Sequence, residues 1–212
     1  GESFPSNFVM NMMLGDIVEA VFKGLLRQAD VAYDDAKKVS LELDNETTVE
    51  GTYDIVIDDA VDDIKSASDW SYRNKFESFA SLADGDAFGY IGQLAGYAKA
   101  LNKRAGGWWV INKANGQFKY VPAEGIDMNK EVKKLSSNAD VVKKNKFKRC
   151  FEPVEETFRG KPTGNKILGT TCSFCRFKHL CWKNLQELPS IMSQAKDPKI
   201  VSYVEIGKEK LI

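Results

Sequence analysis

The chain has 212 residues, 43% of them hydrophobic and 28% charged, and its 30 basic and 30 acidic side chains give a formal net charge of zero. This length and composition predict a soluble globular protein with one substantial core and an appended lobe. No apolar run approaches the roughly 20 residues that cross a bilayer, and no signal peptide is recognisable. These features exclude a membrane-spanning chain and predict a cytoplasmic, intracellular protein with no membrane partner.

The charge is unevenly distributed along the chain. Residues 1–90 contain 7 basic and 19 acidic residues, a balance of −12, whereas residues 91–212 contain 23 and 11, a balance of +12. An acidic half suited to cations, joined to a basic half, is typical of a protein that cuts phosphodiesters. Because a fold can interleave the two halves, charge alone does not identify a partner.

The first predicted element is a helix from residue 6 to about 28. Ser6 is a suitable N-cap, and Glu19 falls inside the helix. Apolar side chains recur at helical spacing along it, at Phe8, Met12, Val18, Val21 and Leu25. A short strand over 37–43 and a polar turn over 44–46 follow.

The most informative stretch is 49–68, VEGTYDIVIDDAVDDIKSAS. It predicts an extended run from 48 to about 57, a tight acidic turn, and a second strand over 61–66. Asp54 lies in the first strand, while Asp63 and Lys65 share one face of the second and Ile64 faces the other way. Carboxylates on neighbouring strands beside an ammonium are suited to a hard divalent cation and an oriented water. Asp-rich turns are common, so this pattern needs support from elsewhere.

Helices are predicted next over 70–82 and 88–103, then a strand pair, 108–111 and 118–121, across an Asn-Gly turn. A basic helix over 129–146 follows. Residues 148–182 are rich in Gly, Pro, Lys and Cys and predict a lobe built from loops. Val201, Tyr203 and Val204 predict an edge strand in the tail. The sequence thus predicts an α/β fold with a mixed sheet flanked by helices, a core over 1–147, and a cysteine-ligated lobe with a tail over 148–212.

The order of these elements resembles that of the PD-(D/E)XK nuclease superfamily, with its restriction-endonuclease-like fold, and specifically its RecB-like branch. The matching motifs are Gly51-Thr52-Tyr53-Asp54, then Asp63-Ile64-Lys65, then Gln93 with Tyr97. One position departs from the family pattern, since Glu19, four residues after Gly15, stands where the branch has histidine. Other branches use a helix carboxylate there as a metal ligand, so the role can be kept.

The resemblance implies a role for each matched residue. Asp54, Asp63 and Glu19, with the Ile64 backbone carbonyl, would hold Mg²⁺ or Mn²⁺ through oxygen ligands. Lys65 would orient the attacking water and neutralise phosphate charge. Gln93 and Tyr97, four apart on one helix face, would contact the nucleic acid, although a tyrosine packed on the sheet beside an exposed glutamine would show the same pattern. Three further candidates for contact with the nucleic acid follow the second β-strand, namely Trp70, Arg73 and Lys75.

Cysteine provides the second strong signal. Cys172, Cys175 and Cys181 form C-x2-C-x5-C, with Cys150 upstream. Without an export signal, this spacing favours a metal or cluster over disulfides. A zinc site would use the three thiolates and His179. The spacing also resembles that of the iron-sulfur nucleases of the same branch, which implies a structural 4Fe-4S cluster with Cys150 as the remaining candidate for the fourth ligand.

The predicted activity is therefore that of a Mg²⁺- or Mn²⁺-dependent deoxyribonuclease, an exonuclease acting on DNA with a free end. Two alternatives remain open: an endonuclease of the same fold, and a nucleic-acid-binding or adaptor subunit with a structural zinc site. By the resemblance, protein partners from recombination, repair or CRISPR adaptation are expected.

Overall fold

The computed structural model describes residues 6–146 and 149–207, without the side chains of residues 7 and 8. The chain divides into two compact units, Gly1–Lys144 and Asn145–Ile212. The domain boundary expected from sequence, at 147–148, falls on residues outside the described part, as does the predicted apolar side chain of Phe8. Across the described residues, no helix is long and apolar enough to cross a membrane.

The first unit alternates helices and strands. Its helices are α1 (Ser6–Gln28), a π-helical turn (Ser71–Lys75), α2 (Phe79–Asp84), α3 (Tyr90–Leu101) and α4 (Met128–Lys143). Its strands are β1 (Asp34–Asp35), β2 (Lys38–Glu42), β3 (Thr48–Thr52), β4 (Ile55–Ile57), β5 (Ala60–Ala67), β6 (Arg104–Asn112) and β7 (Phe118–Pro122).

The central sheet has the strand order β1-β4-β5-β6-β7. β5 and β6 run parallel, while the other neighbouring strands are antiparallel. The parallel pair requires a long crossover, which the π-helical turn, α2 and α3 supply between β5 and β6. The sequence-based expectation of an α/β fold with a mixed sheet flanked by helices is confirmed at this level.

The two faces of the central sheet bury different helices. On one face Phe22 of α1 packs on Ile55 and Ile64. On the other face a larger cluster includes Val61 of β5, Leu94 of α3 and further buried apolar residues. Because side chains alternate along a strand, Asp63 and Lys65 lie on the α3 face, like Val61.

The extended run predicted from 48 to 57 is wrong, because the chain breaks there into two strands of different sheets. β3 pairs with β2, from Lys38↔Thr52 to Glu42↔Thr48, as a separate two-stranded sheet. β4 instead joins the central sheet between β1 and β5. Asp54 therefore lies in the break between β3 and β4 and not within a strand.

Other predicted boundaries also shift. The helix expected over 70–82 is broken into the π-helical turn and α2, because Ser78 adopts an extended backbone and its side chain accepts a hydrogen bond from the Ser81 N–H. The next helix is shorter than predicted, and Asn102 ends it in the left-handed conformation.

The β6–β7 hairpin is confirmed, with Gly116 at φ 76° in its turn. The basic helix begins at an Asp127 cap and ends at Lys143.

The second unit contains a sheet of its own, so the prediction of a lobe built from loops is wrong. Its strands are β8 (Val154–Phe158), β9 (Lys161–Ile167), β10 (Gln186–Pro189) and β11 (Ile200–Glu205), in the order β10-β11-β9-β8. Two short helices, α5 (Thr170–Ser173) and α6 (Lys178–Cys181), lie between β9 and β10. β11 is an inner strand, which corrects the expected edge strand in the tail.

A small core supports this second sheet. Leu168, Trp182 and Tyr203 are buried. The buried Glu156 carboxylate accepts hydrogen bonds from the Tyr203 hydroxyl at 2.9 Å and the Asn165 amide at 2.7 Å. Because its carboxylate is satisfied, burial of this acid is compatible with a stable core.

Candidate active site

The register of the central sheet places Asp54 opposite Asp63. The pairing of β4 with β5 runs Ile57↔Ala60, Val56↔Val61 and Ile55↔Asp62, and one further step along both chains brings Asp54 across from Asp63. Directly opposed residues of an antiparallel pair point to the same face. Burial raises the pKa of Asp63, and the Asp54 charge raises it further, so the two carboxylates lie within electrostatic reach of each other.

The backbone of Ile64 holds Asp54 in position. β4 has ended at this level, so the Ile64 N–H has no strand partner on that side and donates to Asp54 Oδ2 at 2.7 Å. In an extended strand the N–H and C=O of one residue point the same way, so the Ile64 carbonyl is directed toward Asp54 as well. The Ile64 side chain packs on the opposite face of the sheet. The structure therefore brings the Asp54 carboxylate and the Ile64 carbonyl to one edge.

Asp63 is buried with one oxygen unsatisfied. Its side chain is 4% exposed. Oδ1 accepts a hydrogen bond from Lys65 Nζ at 2.8 Å. Oδ2 lies 2.7 Å from the same nitrogen, but no hydrogen bond with acceptable geometry reaches it from the described residues. Burial, with a smaller contribution from the Asp54 charge, raises the pKa of Asp63 to about 7.

Lys65 is the cation of the site. Burial alone would lower the pKa of Lys65, but the charges of Asp63 and Asp54 outweigh that effect and raise the pKa above its usual value. The ammonium also lies 5.2 Å from the centre of the Tyr90 ring. Lys65 is therefore a positioned, protonated side chain beside two carboxylates.

Gln93 and Tyr97 belong to the same neighbourhood. Burial raises the pKa of Tyr97, as do the charges of Asp63 and Asp54, whereas the neighbouring Gln93 side chain lowers it. Gln93 is exposed and Tyr97 half-buried. The second and third motifs thus converge on the α3 face of β5.

The three further candidates for nucleic-acid contact have different environments. Trp70 is 70% exposed. Arg73 pairs with Asp69 at 2.9 Å. Lys75 Nζ lies 4.7 Å and 4.5 Å from the ring centres of Phe88 and Tyr90. Sequence reasoning missed Tyr90 and Phe88, although their alternate positions at the start of a predicted helix beside the Asp86 break were a usable signal.

Glu19 is not brought to the two aspartates. Its carboxylate accepts a hydrogen bond from Lys23 Nζ at 2.6 Å, and the same nitrogen bonds Asp35 at 2.8 Å. The physical reason is that α1 packs on the Ile64 face of the sheet, opposite Asp63 and Lys65. Within the described part of the chain, no three His, Cys, Asp or Glu side chains are grouped closely enough to hold a metal ion.

The four cysteines approach one another in the second unit. All four are described, and none forms a disulfide. Burial raises the pKa of the Cys172 thiol, and Cys175, Cys181 and Cys150 raise it further by their proximity. The other three thiols thus lie within electrostatic reach of Cys172, although among the described residues they are not at the spacing of a closed metal site. His179 instead faces Glu187, with Nε2 3.2 Å from the carboxylate.

No family model matches the chain, and no curated protein matches it. Among solved structures, one described as "Crystal structure of SSO0001" is similar over 81% of this chain and 70% of its own length, with 16% sequence identity and a TM-score of 0.48. A likeness at this level supports no functional conclusion.

Proposed function

We propose that this protein is a metal-dependent deoxyribonuclease with a PD-(D/E)XK core, in which Asp54, Asp63 and Lys65 are the catalytic residues. The observation that carries the proposal is the pair of opposed carboxylates beside a partly buried ammonium, with Asp63 Oδ2 left without a hydrogen bond from the described residues. Two like charges are held together in a largely buried site only when something offsets their repulsion. A lysine with a single charge does so incompletely, which favours a further cation.

The donor set fits a hard divalent cation. Asp54, Asp63 and the Ile64 carbonyl supply oxygen atoms alone, the ligand type that Mg²⁺ and Mn²⁺ prefer. The unsatisfied Oδ2 of Asp63 is the atom that would gain most from such an ion. Glu19 does not belong to this set, and a Mg²⁺ ion usually completes its shell with water.

The roles of the side chains follow from their positions. When bound, a divalent cation lowers the pKa of water and offsets the charge that develops on phosphate. Asp54 is oriented by the Ile64 N–H and Asp63 by Lys65, so both carboxylates are preorganised. Lys65, protonated at neutral pH, donates to the attacking water or to a phosphate oxygen. Tyr97 and Gln93 border the site on the α3 side and would bind the nucleic-acid strand.

For the second unit we propose a structural 4Fe-4S cluster bound by Cys150, Cys172, Cys175 and Cys181. Two observations support it over zinc with His179. The other three cysteines, Cys150 among them, all raise the pKa of Cys172, whereas His179 pairs with Glu187. Cysteine thiolates are the usual ligands of such clusters. The exonuclease assignment and DNA as partner rest on the family resemblance.

The test uses end-labelled linear DNA and closed circular DNA, single- and double-stranded, with Mg²⁺ or Mn²⁺. Lys65→Met and Asp63→Asn should each slow cleavage by about a thousandfold or more, because each removes charge that acts on the transition state. Lys103→Met is the matched control, since Lys103 pairs with Asp59 at the surface, and it should cleave normally.

The substrates separate the alternatives. Degradation of linear DNA with circular DNA spared supports an exonuclease, and cutting of circular DNA would identify an endonuclease. Wild-type rates in Lys65→Met, with its fold verified by circular dichroism, would overturn the assignment of the site. Binding without cleavage by the wild-type protein would leave an adaptor subunit.

A further inference from the structure

An apolar slot adjoins the carboxylates on the α3 face. Its volume is about 320 Å³, at the small end of ligand pockets, which run from about 300 to 1,000 Å³. The β2–β3 hairpin forms one wall through Val39, Leu41 and Val49. Small residues of α3, including Gly92 and Gly96, form the other wall.

Tyr97 links the slot to the candidate active site. It lines the slot with Gln93, and its pKa responds to the charges of Asp54 and Asp63. Tyr97 therefore borders the slot and lies within electrostatic reach of the carboxylates.

Phe88 stands at the mouth of the slot as an exposed aromatic ring. It lines the slot and is 62% exposed. Its inner neighbour is Tyr90, with ring centres 5.8 Å apart and planes 24° from parallel, and Tyr90 stacks in turn on the buried Phe76 at 5.8 Å and 25°. The exposed ring is thus held by a stack anchored in the core.

A cation lies beside this stack. Lys75 Nζ is 4.7 Å from the centre of the Phe88 ring and 4.5 Å from that of Tyr90. Within residues 6–146 and 149–207, no carboxylate forms an ion pair with it. A rigid aromatic ring with an adjacent lysine is the arrangement that binds one base and one phosphate of a nucleic-acid strand.

We propose that the slot between the β2–β3 hairpin and α3 receives one unstacked nucleobase, with Phe88 as its stacking platform and Lys75 as the contact of an adjacent phosphate. This proposal rests on the proposed function, because it assigns the strand being cut. A base in a duplex has both faces stacked and its edge paired, so only a single-stranded or frayed end supplies a free base at low cost. The substrate of this site is accordingly single-stranded DNA.

The first test measures binding of the full chain in EDTA, where metal-dependent cleavage cannot occur, to a labelled single-stranded oligonucleotide and to a duplex of the same length. Phe88→Leu should weaken single-strand binding by about five- to thirtyfold, the expected effect of losing one base stack, and leave duplex binding within about twofold. Phe118→Leu is the matched control, since Phe118 is 55% exposed and contacts Phe22 on the other face. It should bind both substrates normally.

The second test removes the base and not the ring. A single abasic nucleotide is moved position by position along the single-stranded oligonucleotide. At one position it should weaken binding by about the same factor as Phe88→Leu. On that oligonucleotide Phe88→Leu should have no further effect, because base and ring act as one pair. Ala100→Met, which fills the slot from α3 without changing Phe88, should mimic the loss if Phe88→Leu proves unstable.

Equal losses on single strand and duplex, or no position-specific abasic effect, would overturn the slot proposal even if the protein cleaves DNA. Conversely, an abasic effect coupled to Phe88 in a protein that never cleaves DNA would support the slot and overturn the nuclease proposal. The two failures are therefore distinguishable.

Discussion

Gly51 and Tyr97 come from different motifs of the sequence and meet in the fold. A Cβ atom on Gly51 would lie 2.6 Å from Cε1 of Tyr97 and 3.0 Å from its hydroxyl oxygen. Contacts that short do not occur, so glycine at this position of β3 lets the tyrosine lie against the strand. This close approach explains why the first motif begins with glycine and places Tyr97 beside both the slot and the carboxylates.

Gly51→Ala should therefore displace the Tyr97 ring. We expect kcat/KM for DNA to fall by about tenfold, because misplacing a residue that positions the substrate lowers the rate, with little change in global fold. Gly85→Ala is the control, since a Cβ there meets no atom within 4 Å. Steady-state kinetics of both variants test this, and full activity in Gly51→Ala would show that the position of Tyr97 is unimportant.

Asp62 and Asp63 are adjacent in sequence and both buried, yet only Asp63 is available for chemistry. Asp62 faces the other side of the sheet, where its carboxylate accepts hydrogen bonds from Tyr120 at 2.9 Å and Trp109 at 3.1 Å. Each of its two carboxylate oxygens therefore has a hydrogen-bond donor. The period of the strand, and not the residue type, separates the structural aspartate from the candidate catalytic one.

At the scale of elements, α3 carries Tyr90, Gln93 and Tyr97 and so determines much of the site. The start of α3 is held by Asp86, whose two carboxylate oxygens accept from the N–H groups of Tyr90 and Ile91, each at 2.9 Å. These bonds satisfy two of the unpaired donors at the helix start. One aspartate thereby fixes the first turn of the helix that lines the slot.

Asp86→Ala should lower the free energy of unfolding by about 1 kcal/mol, the typical cost of losing a cap, and weaken single-strand binding through misplacement of Tyr90. Asp86→Asn should recover most of the stability, because its side-chain oxygen still accepts one bond. Asp84→Ala, at the exposed end of α2, is the control. Urea unfolding and DNA titration supply the measurements, and equal stability of Asp86→Ala and wild type would contradict the capping role.

At the scale of the whole molecule, the second unit has its own sheet and core, so its stability does not depend wholly on a metal. The buried Glu156, Asn165 and Tyr203 network lies in the strands, whereas Cys172, Cys175 and Cys181 lie in or next to the short helices α5 and α6. Segments with few buried apolar contacts open first. Loss of a cluster should thus affect the helices and spare the sheet.

We therefore expect Cys150→Ser to lose most of its iron after anaerobic purification and His179→Ala to keep it, near about four iron atoms per chain. With zinc bound through His179 the two outcomes would exchange, because the ligand set would exchange. Metal-depleted protein should gain protease sites within residues 170–182 while β8–β11 stay protected. A colourless, zinc-free wild-type protein that resists protease would contradict any metal in this unit.

How much of the site could be predicted from sequence depended on the range of the interactions involved. The alternation of Asp63, Ile64 and Lys65 is local, and so is the helical spacing of Gln93 and Tyr97. The structure places Asp63 and Lys65 on the α3 face of β5, with Gln93 and Tyr97 of α3 beside them. Glu19 was assigned by its position in a pattern. Its environment was decided by which face of the sheet α1 covers, and that depends on packing against Ile55, Ile64 and Trp109.

The sequence by itself determined the helical period of α1 and α3, the Asn-Gly hairpin, the mixed α/β class, and the same-face pairing of Asp63 with Lys65, because these follow from backbone geometry over a few residues. Only the tertiary structure decided that the chain breaks at Asp54, that Gly51 meets Tyr97, that Phe88 caps a stack from the core, and that β11 is an inner strand. Each of these depends on contacts between segments far apart in the chain, whose partners are selected by burial of the whole core and not by local preference.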